Sequence, residues 1–428
     1  MNLPAFLCQA DAHTMNENPS IFTCTVSKTF DVSHLVMAVV PPKELTGEPL
    51  VKQLEAVNEQ IGHLIAENVP GARVIQQTVF LKNYEDRHFC QEFWRNFYGE
   101  DLPVNVYVPQ PPCDGQLLAV EVIAEEDAAQ TRITRQGETL TILKHSGITW
   151  YYACQQEPKD YSQTMYAQSV GMFQQLDRTF GTRDIPFENV IRTWLYLGNI
   201  TEPTFSELEG ETQRYKELNR ARTDFFRDIQ FFDGVSSVPW TRAVYPASTG
   251  IGGQGDTVVM SALAVSFDDP AAGAIVPLEN PQQTSAFDYS QEYSIKSPKF
   301  ARALLLAGPR NGAIFVSGTA SITDQETRYP DDPEKQTELT LENIALLISE
   351  ENLKAHGKPG FGCRLDEMVC ARVYVKRMED YETIRKVCER LIPNVPKIFT
   401  IADVCRPDLL VEIEGMADVG PAKNITRK

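Results

Sequence analysis

Two glutamates, Glu412 and Glu414, stand two residues apart in the run LLVEIEGMA at 409–417. In a strand such a spacing sends both side chains from one face. Two carboxyls on one face repel, so one of them is expected to hold its proton near neutral pH, as a general acid or base must. From alternation alone, two solvent-facing acids on an edge strand are equally admissible, because Glu is mostly exposed. Arg222 is the second residue with chemical potential. It lies seven residues after Tyr215 and four after Leu218, so all three share the apolar face of one helix. A guanidinium there needs an anion, either a ligand carboxylate or a local acid such as Asp224. Arg192 starts a strand and is either a second carboxylate fork or an exposed edge residue, and Arg302 is a third candidate.

The segment PASTGIGG at 246–253 reads as a hairpin. Ser248 and Thr249 can donate to a carboxylate, while Gly250, Gly252 and Gly253 permit close approach. It lacks the lysine and spacing of a phosphate loop. Cys405 lies just before the Glu412 strand. A free Cys commonly does no more than fill space.

Three segments position these residues, and they resemble one another: VIQQTVFLKN at 74–83, VIRTWLYLGN at 190–199 and VCARVYVKRM at 369–378. Each alternates as a strand does. Each follows a segment of helical spacing: Leu50, Leu54, Val57, Ile61 and Leu64; Tyr166, Val170, Phe173 and Phe180; Leu341, Ile344 and Ile348. Each precedes a second amphipathic helix, whose faces read Phe89, Phe93 and Phe97; Tyr215, Leu218 and Phe225; Tyr381, Ile384, Cys388 and Leu391. Closing strands are predicted at 117–124, 257–265 and 409–417. The expected units span residues 18–127, 138–268 and 285–420, each an α/β sandwich with helices on one sheet face. The acidic stretch 125–136 reads as a linker. The stretch 267–298 is too long for a simple loop and is expected to pack.

The chain has 428 residues, with 40 Lys plus Arg against 58 Asp plus Glu and a formal net charge of −18. That balance disfavours nucleic acid and anionic membrane surfaces as partners, but not a small anionic substrate in a locally basic pocket. No apolar stretch approaches the length of a membrane span, and the first residues carry no signal-peptide pattern. Nine cysteines without a C-x-x-C pair read as reduced thiols in a cytoplasmic protein. Six histidines fall singly, without the spacing of a metal hydrolase, so no metal or other cofactor is expected.

The segment AIFVSGTA at 313–320, the strand at Val369 and LLVEIEGMA resemble the YjgF/RidA superfamily. Its members form trimers with sites in the clefts between subunits. The resemblance therefore implies three tandem YjgF/RidA-like two-layer α/β sandwich units forming an internal pseudo-trimer, a monomer. The RidA deaminases place an Arg two residues after a Pro, where this chain has Asn105, Ser248 and Ile398. The chain is more similar to the chorismatases, which release pyruvate from chorismate to give a hydroxybenzoate or a dihydrodiol acid. The similar segments are RTWLYL at 192–197, RYKELNRAR at 214–222, PASTGIGG, the long segment at 278–303, SGTASITDQET at 317–327 and CRPDLLVEIE at 405–414. It departs from the family where Asp324–Gln325 replaces an expected Gly-His pair.

That resemblance implies Glu412 as the catalytic acid/base, with Cys405 marking the 3-hydroxybenzoate-forming kind. The substrate would be bound by Arg222, Tyr215, Arg192, Ser248, Thr249, Gly250, Glu414 and Arg302, with Arg222, Arg192 and the PASTG segment taking its carboxylates. Phe287, Tyr289 and Tyr293 would wall the ring or anchor the connector. Only the third unit carries both acids, since its counterparts are Ala119 and Glu121 in the first and Val259 and Ser261 in the second. Two other readings stay open on the sequence: a RidA-like hydrolase or deaminase of another small acid, and a catalytically silent binding or scaffold protein.

Overall fold

The computed structural model describes residues 23–232, 243–290, 295–421 and 425–427. Cys8, Tyr293 and residues 18–22 of the first expected unit lie outside these. Three six-stranded sheets share one strand order, apart from the outer strand of the first. The third runs Ala274–Leu278, Ala303–Ala307, Gly312–Ala320, Val411–Val419, Met368–Val375 and Lys397–Ile401. The second runs Arg132–Gln136, Leu140–His145, Ile148–Gln156, Val258–Phe267, Val190–Gly198 and Ala247–Gly253. The first runs Ile425–Arg427, Thr23–Thr29, Val32–Val39, Leu118–Glu125, Arg73–Leu81 and Val104–Val108. Each closing strand inserts between two earlier ones, and the last two strands of each sheet pair in parallel. The first sheet borrows its outer strand from the chain's C-terminal region, where Ile425 pairs with Ser27.

Two main helices accompany each sheet: Leu50–Asn68 and Arg87–Tyr98, Met165–Gly181 and Arg214–Phe225, Pro333–Leu347 and Tyr381–Leu391. Their starts follow local chemistry. Thr164 accepts from the Ala167 amide, and Asp332 accepts from Lys335 with Pro333 opening the helix. In the third unit Val411 and Ile413 pack with Leu341, Ile344 and Ile384 in one apolar cluster. Alternation then turns Glu412 and Glu414 to the opposite sheet face, towards the other units.

Several expectations require correction. The strand Arg132–Gln136 lies within the expected linker and before residue 138, yet it is the outer strand of the second sheet. Likewise Ala274–Leu278 precedes residue 285 but belongs to the third sheet. Both outer strands are only five residues long, too short for alternation to mark them. The stretch 267–298 does pack: Asn280 Nδ2 donates to the Asn343 carbonyl at 2.8 Å, and Gln283 Nε2 to that of Ile322 at 3.0 Å. On Arg87–Tyr98, Phe89 and Phe97 are each 47% exposed, while Cys90 and Trp94 are buried. One residue turns a helix by about 100°, so an aromatic at neighbouring positions obscures which stripe faces inward. PASTGIGG is no hairpin, because Ala247–Gly253 is an outer strand paired in parallel with Val190–Gly198. Val411–Val419, by contrast, is central to its sheet, which rules out two acids on an exposed edge. No helix among the described residues is long and apolar enough to cross a membrane.

Candidate active site

A cleft of about 850 Å³ opens between the second and third units. Tyr215, Asn219, Ser248 and Gly250 line it from the second, and Arg302, Gly318, Cys405 and Glu412 from the third. Glu412 is buried at its floor. Among the described residues no hydrogen bond reaches its carboxyl. Burial first, and then the charge of Glu414, push its pKa up to about 8, against the pull of Arg192 and Arg302. A neutral carboxylic acid therefore faces the cleft at neutral pH. Gly318 makes this position possible: any Cβ there would collide with Glu412 Oε1.

Glu414, two residues on, has the opposite fate. Its carboxylate accepts from Trp194 Nε1 at 3.1 Å, Arg372 Nη1 at 3.0 Å and the Tyr374 hydroxyl at 2.9 Å. Arg192 Nη2 and the Thr249 hydroxyl complete the set. Burial works against its ionisation, but Arg192, Arg372 and these donors hold its pKa below the usual carboxylate range. Arg372 continues the network to Glu121, at 2.6 and 3.1 Å, and to Tyr196 and Thr78. All three sheets thus contribute to one buried charged cluster.

The remaining sequence candidates divide in the same way. Arg222 is buried behind the cleft wall, donating to Ser248 Oγ at 3.2 Å and Asn219 Oδ1 at 2.5 Å. Among the described residues it has no ion-pair partner, and Asp224 instead pairs with Arg227. Arg192 is neither a cleft fork nor an edge residue; it is buried against Glu414 and Thr249. Arg302 lines the cleft and donates to the Tyr289 hydroxyl at 2.7 Å and the Thr284 carbonyl at 2.8 Å. The Tyr215 ring lies against Gly250, where a Cβ would stand 2.9 Å from its Cε2. Cys405 is half-buried in the cleft, and loss of water and the nearby Glu412 push its thiol up to about 12. It is therefore a neutral thiol and no thiolate nucleophile. Of the aromatics, Tyr289 lines the cleft and Phe287 packs on Tyr245.

Sequence reasoning missed Asn219, Phe300, Arg406 and Gly318, which line the cleft, and Arg372, which does not. Arg372 had a signal, as a lone cation inside the apolar run VCARVYV. Gly318 had none, since its importance lies in a side chain from another strand.

Three sheets of one topology, with the acid in a cleft between two of them, define a YjgF/RidA-type α/β protein. Residues 297–419 match the family described as Endoribonuclease L-PSP. The chain belongs to the chorismatase branch of this superfamily. It is 35% identical over 298 residues to the 3-hydroxybenzoate synthase of Streptomyces hygroscopicus, a match covering 68% of this chain and 79% of the relative. It is 36% identical to the chorismatase of Streptomyces rapamycinicus over 233 residues, covering 54% of this chain and 64% of that relative, slightly under two thirds. A chorismatase crystal structure shares the fold, with a TM-score of 0.60 and 24% identity over 82% of this chain and 95% of that one.

Proposed function

We propose that the chain converts chorismate with release of pyruvate, in the cleft between the second and third units. The observation that carries this reading is Glu412, a neutral acid without a hydrogen-bond partner among the described residues, in a cleft behind whose wall Arg222 lies with no ion-pair partner among those residues. Chorismate is a dianion with an enol-ether side chain. The Glu412 carboxyl gives its proton to the vinylic methylene carbon, and the ether becomes an oxocarbenium ion. Water or the neighbouring ring hydroxyl captures that cation, returning a proton to Glu412. After water capture the hemiketal carbon releases the ring oxygen as an alcohol, giving pyruvate and the dihydrodiol acid. After capture by the ring hydroxyl, the cyclic ketal loses both its bond to the first ring oxygen and the ring's bond to the second. Pyruvate then leaves with the second oxygen, and the ring loses a C–H proton to become the hydroxybenzoate.

Arg222, through the Ser248 and Asn219 wall, and Arg302 hold the two carboxylates. Tyr215 and Tyr289 flank the ring. Arg192, Thr249 and Glu414 act as positioning residues: a permanently ionised Glu414 helps keep Glu412 protonated. Cys405 favours the 3-hydroxybenzoate-forming route, which the name of one relative supports. No cofactor enters this scheme. The repeated strand order supports an internal pseudo-trimer working as a single chain, with the second unit starting by Arg132 and the third by Ala274. The eight free thiols of the described residues support a cytoplasmic setting.

Incubation with chorismate, with pyruvate and the aromatic product both quantified, tests the reading. Wild type should release pyruvate, and Glu412→Gln should lose about 10²–10⁴-fold in rate, the span of general acid catalysis. Equal release by both proteins, or none by wild type, overturns it.

A further inference from the structure

A second polar cluster lies away from the cleft, where the first sheet meets the second. His34 and Glu125 are direct partners on the adjacent strands Val32–Val39 and Leu118–Glu125, so their side chains share one face. His145, the last residue of Leu140–His145 in the second sheet, reaches the same carboxylate. His34 Nδ1 lies 2.5 Å from Glu125 Oε2, and His145 Nε2 lies 3.3 Å from Oε1. All three ligand atoms fall within 4.8 Å of one another.

Three features separate this cluster from an ordinary buried ion pair. First, Glu125 and His145 are fully buried, yet both Glu125 oxygens and His145 Nε2 make no hydrogen bond of acceptable geometry. Buried polar atoms are rarely left so, and three converging on one point call for a shared partner. Second, the outward nitrogens are engaged: His34 Nε2 with the Thr29 carbonyl at 3.0 Å, and His145 Nδ1 with Ser146 Oγ at 3.4 Å. Donation from the outer nitrogen turns the lone pair of the inner one toward a cation, the usual support of a metal-binding His. Third, a cavity of about 50 Å³ adjoins the cluster, lined by His34 and the buried Asp418. It has room for a water as a further ligand, and Asp418 adds the negative charge that a buried dication needs.

We propose that His34 Nδ1, Glu125 and His145 Nε2 form a buried structural site for a divalent cation of the zinc class, joining the first unit to the second. Two imidazoles and one carboxylate are a common zinc donor set. Ligands about 2.0–2.2 Å from a tetrahedral ion stand about 3.3 Å apart, which the His145 pair already meets, while the His34 pair must open by roughly 0.8 Å. Because His145 is enclosed, the ion enters as the sheets come together during folding. The site does not depend on the reaction proposed for the cleft.

The full chain, unfolded and refolded with Zn²⁺ or Co²⁺ and then passed through gel filtration, tests the proposal. One zinc per chain is expected, with the visible bands of tetrahedral Co²⁺ after cobalt refolding. Both should be lost in Glu125→Gln and in His145→Asn, and zinc should raise the Tm of wild type only. Wild type without stoichiometric metal or cobalt bands overturns the site, as does equal retention by a folded variant. Doubly protonated His34 nitrogens, seen by ¹⁵N NMR in zinc-refolded wild type, also overturn it, since they define a bare imidazolium–carboxylate pair. If the variants fail to fold, the metal content and cobalt spectrum of wild type still decide.

Discussion

Glu412 and Glu414 leave the same face of one strand, yet five donors from two sheets surround Glu414 and none among the described residues reaches Glu412. That asymmetry turns a pair of like acids into one fixed charge and one proton donor. It also converts two chemically identical side chains into two different roles, as paired carboxylates in acid catalysis require.

The pH profile follows from the raised pKa. With the acid form of Glu412 required and its pKa at about 8, the rate should be flat below that value and fall about tenfold per pH unit above it. A profile that instead rises through pH 8 would assign Glu412 to the base form. Stability carries the same signature. The folded pKa is raised from 4.5 to about 8, so the Glu412 contribution is full below about 4.5 and is lost as pH rises through 8. Urea unfolding of Glu412→Gln should lack that slope and show greater stability than wild type above pH 8.

Arg222→Met should separate binding from folding. The guanidinium is buried without an ion-pair partner among the described residues, so its removal leaves no acid unpaired. Unfolding midpoints should stay near wild type or rise. The loss of one charge-assisted contact, about 1.5–3 kcal/mol, should raise KM for chorismate about 10–100-fold. An unchanged KM would remove Arg222 from the carboxylate site.

Gly318→Ala tests the space beside the acid. A methyl group there collides with Glu412 Oε1, the movable end of a side chain, so the acid shifts while the strand stays. Activity should fall at least about tenfold with the fold retained, because displacement by about 1 Å is enough to misalign a reacting group. Wild-type rates in this variant would show that Glu412 does not act from its observed position.

Arg372→Met addresses the network that couples the sheets. It strips the guanidinium shared by Glu121 and Glu414, leaving two buried carboxylates short of charge. A loss of about 3–5 kcal/mol is expected in urea unfolding, the usual cost of breaking a buried pair from one side. A cost below 1 kcal/mol would mean that Arg192 alone suffices to hold Glu414.

The sequence by itself determined the repeat, most of the strands and helices, and the candidates Glu412, Glu414, Arg222 and Cys405. These are local properties: alternation, helical spacing and an Arg on an apolar stripe can be read within about twenty residues. Only the tertiary structure decided which acid is free. The donors to Glu414 come from Val190–Gly198, Ala247–Gly253 and Met368–Val375, strands distant in the chain. The same holds for Arg192, which reads as a second carboxylate fork or an edge residue until Glu414 is set against it, and for Gly318, whose missing Cβ matters only beside Glu412. It holds equally for His34 and His145, single in sequence and joined at Glu125 by the meeting of two sheets. Spacing along a strand sets the direction of a side chain, but what it meets there depends on sheets that long-range burial brings together.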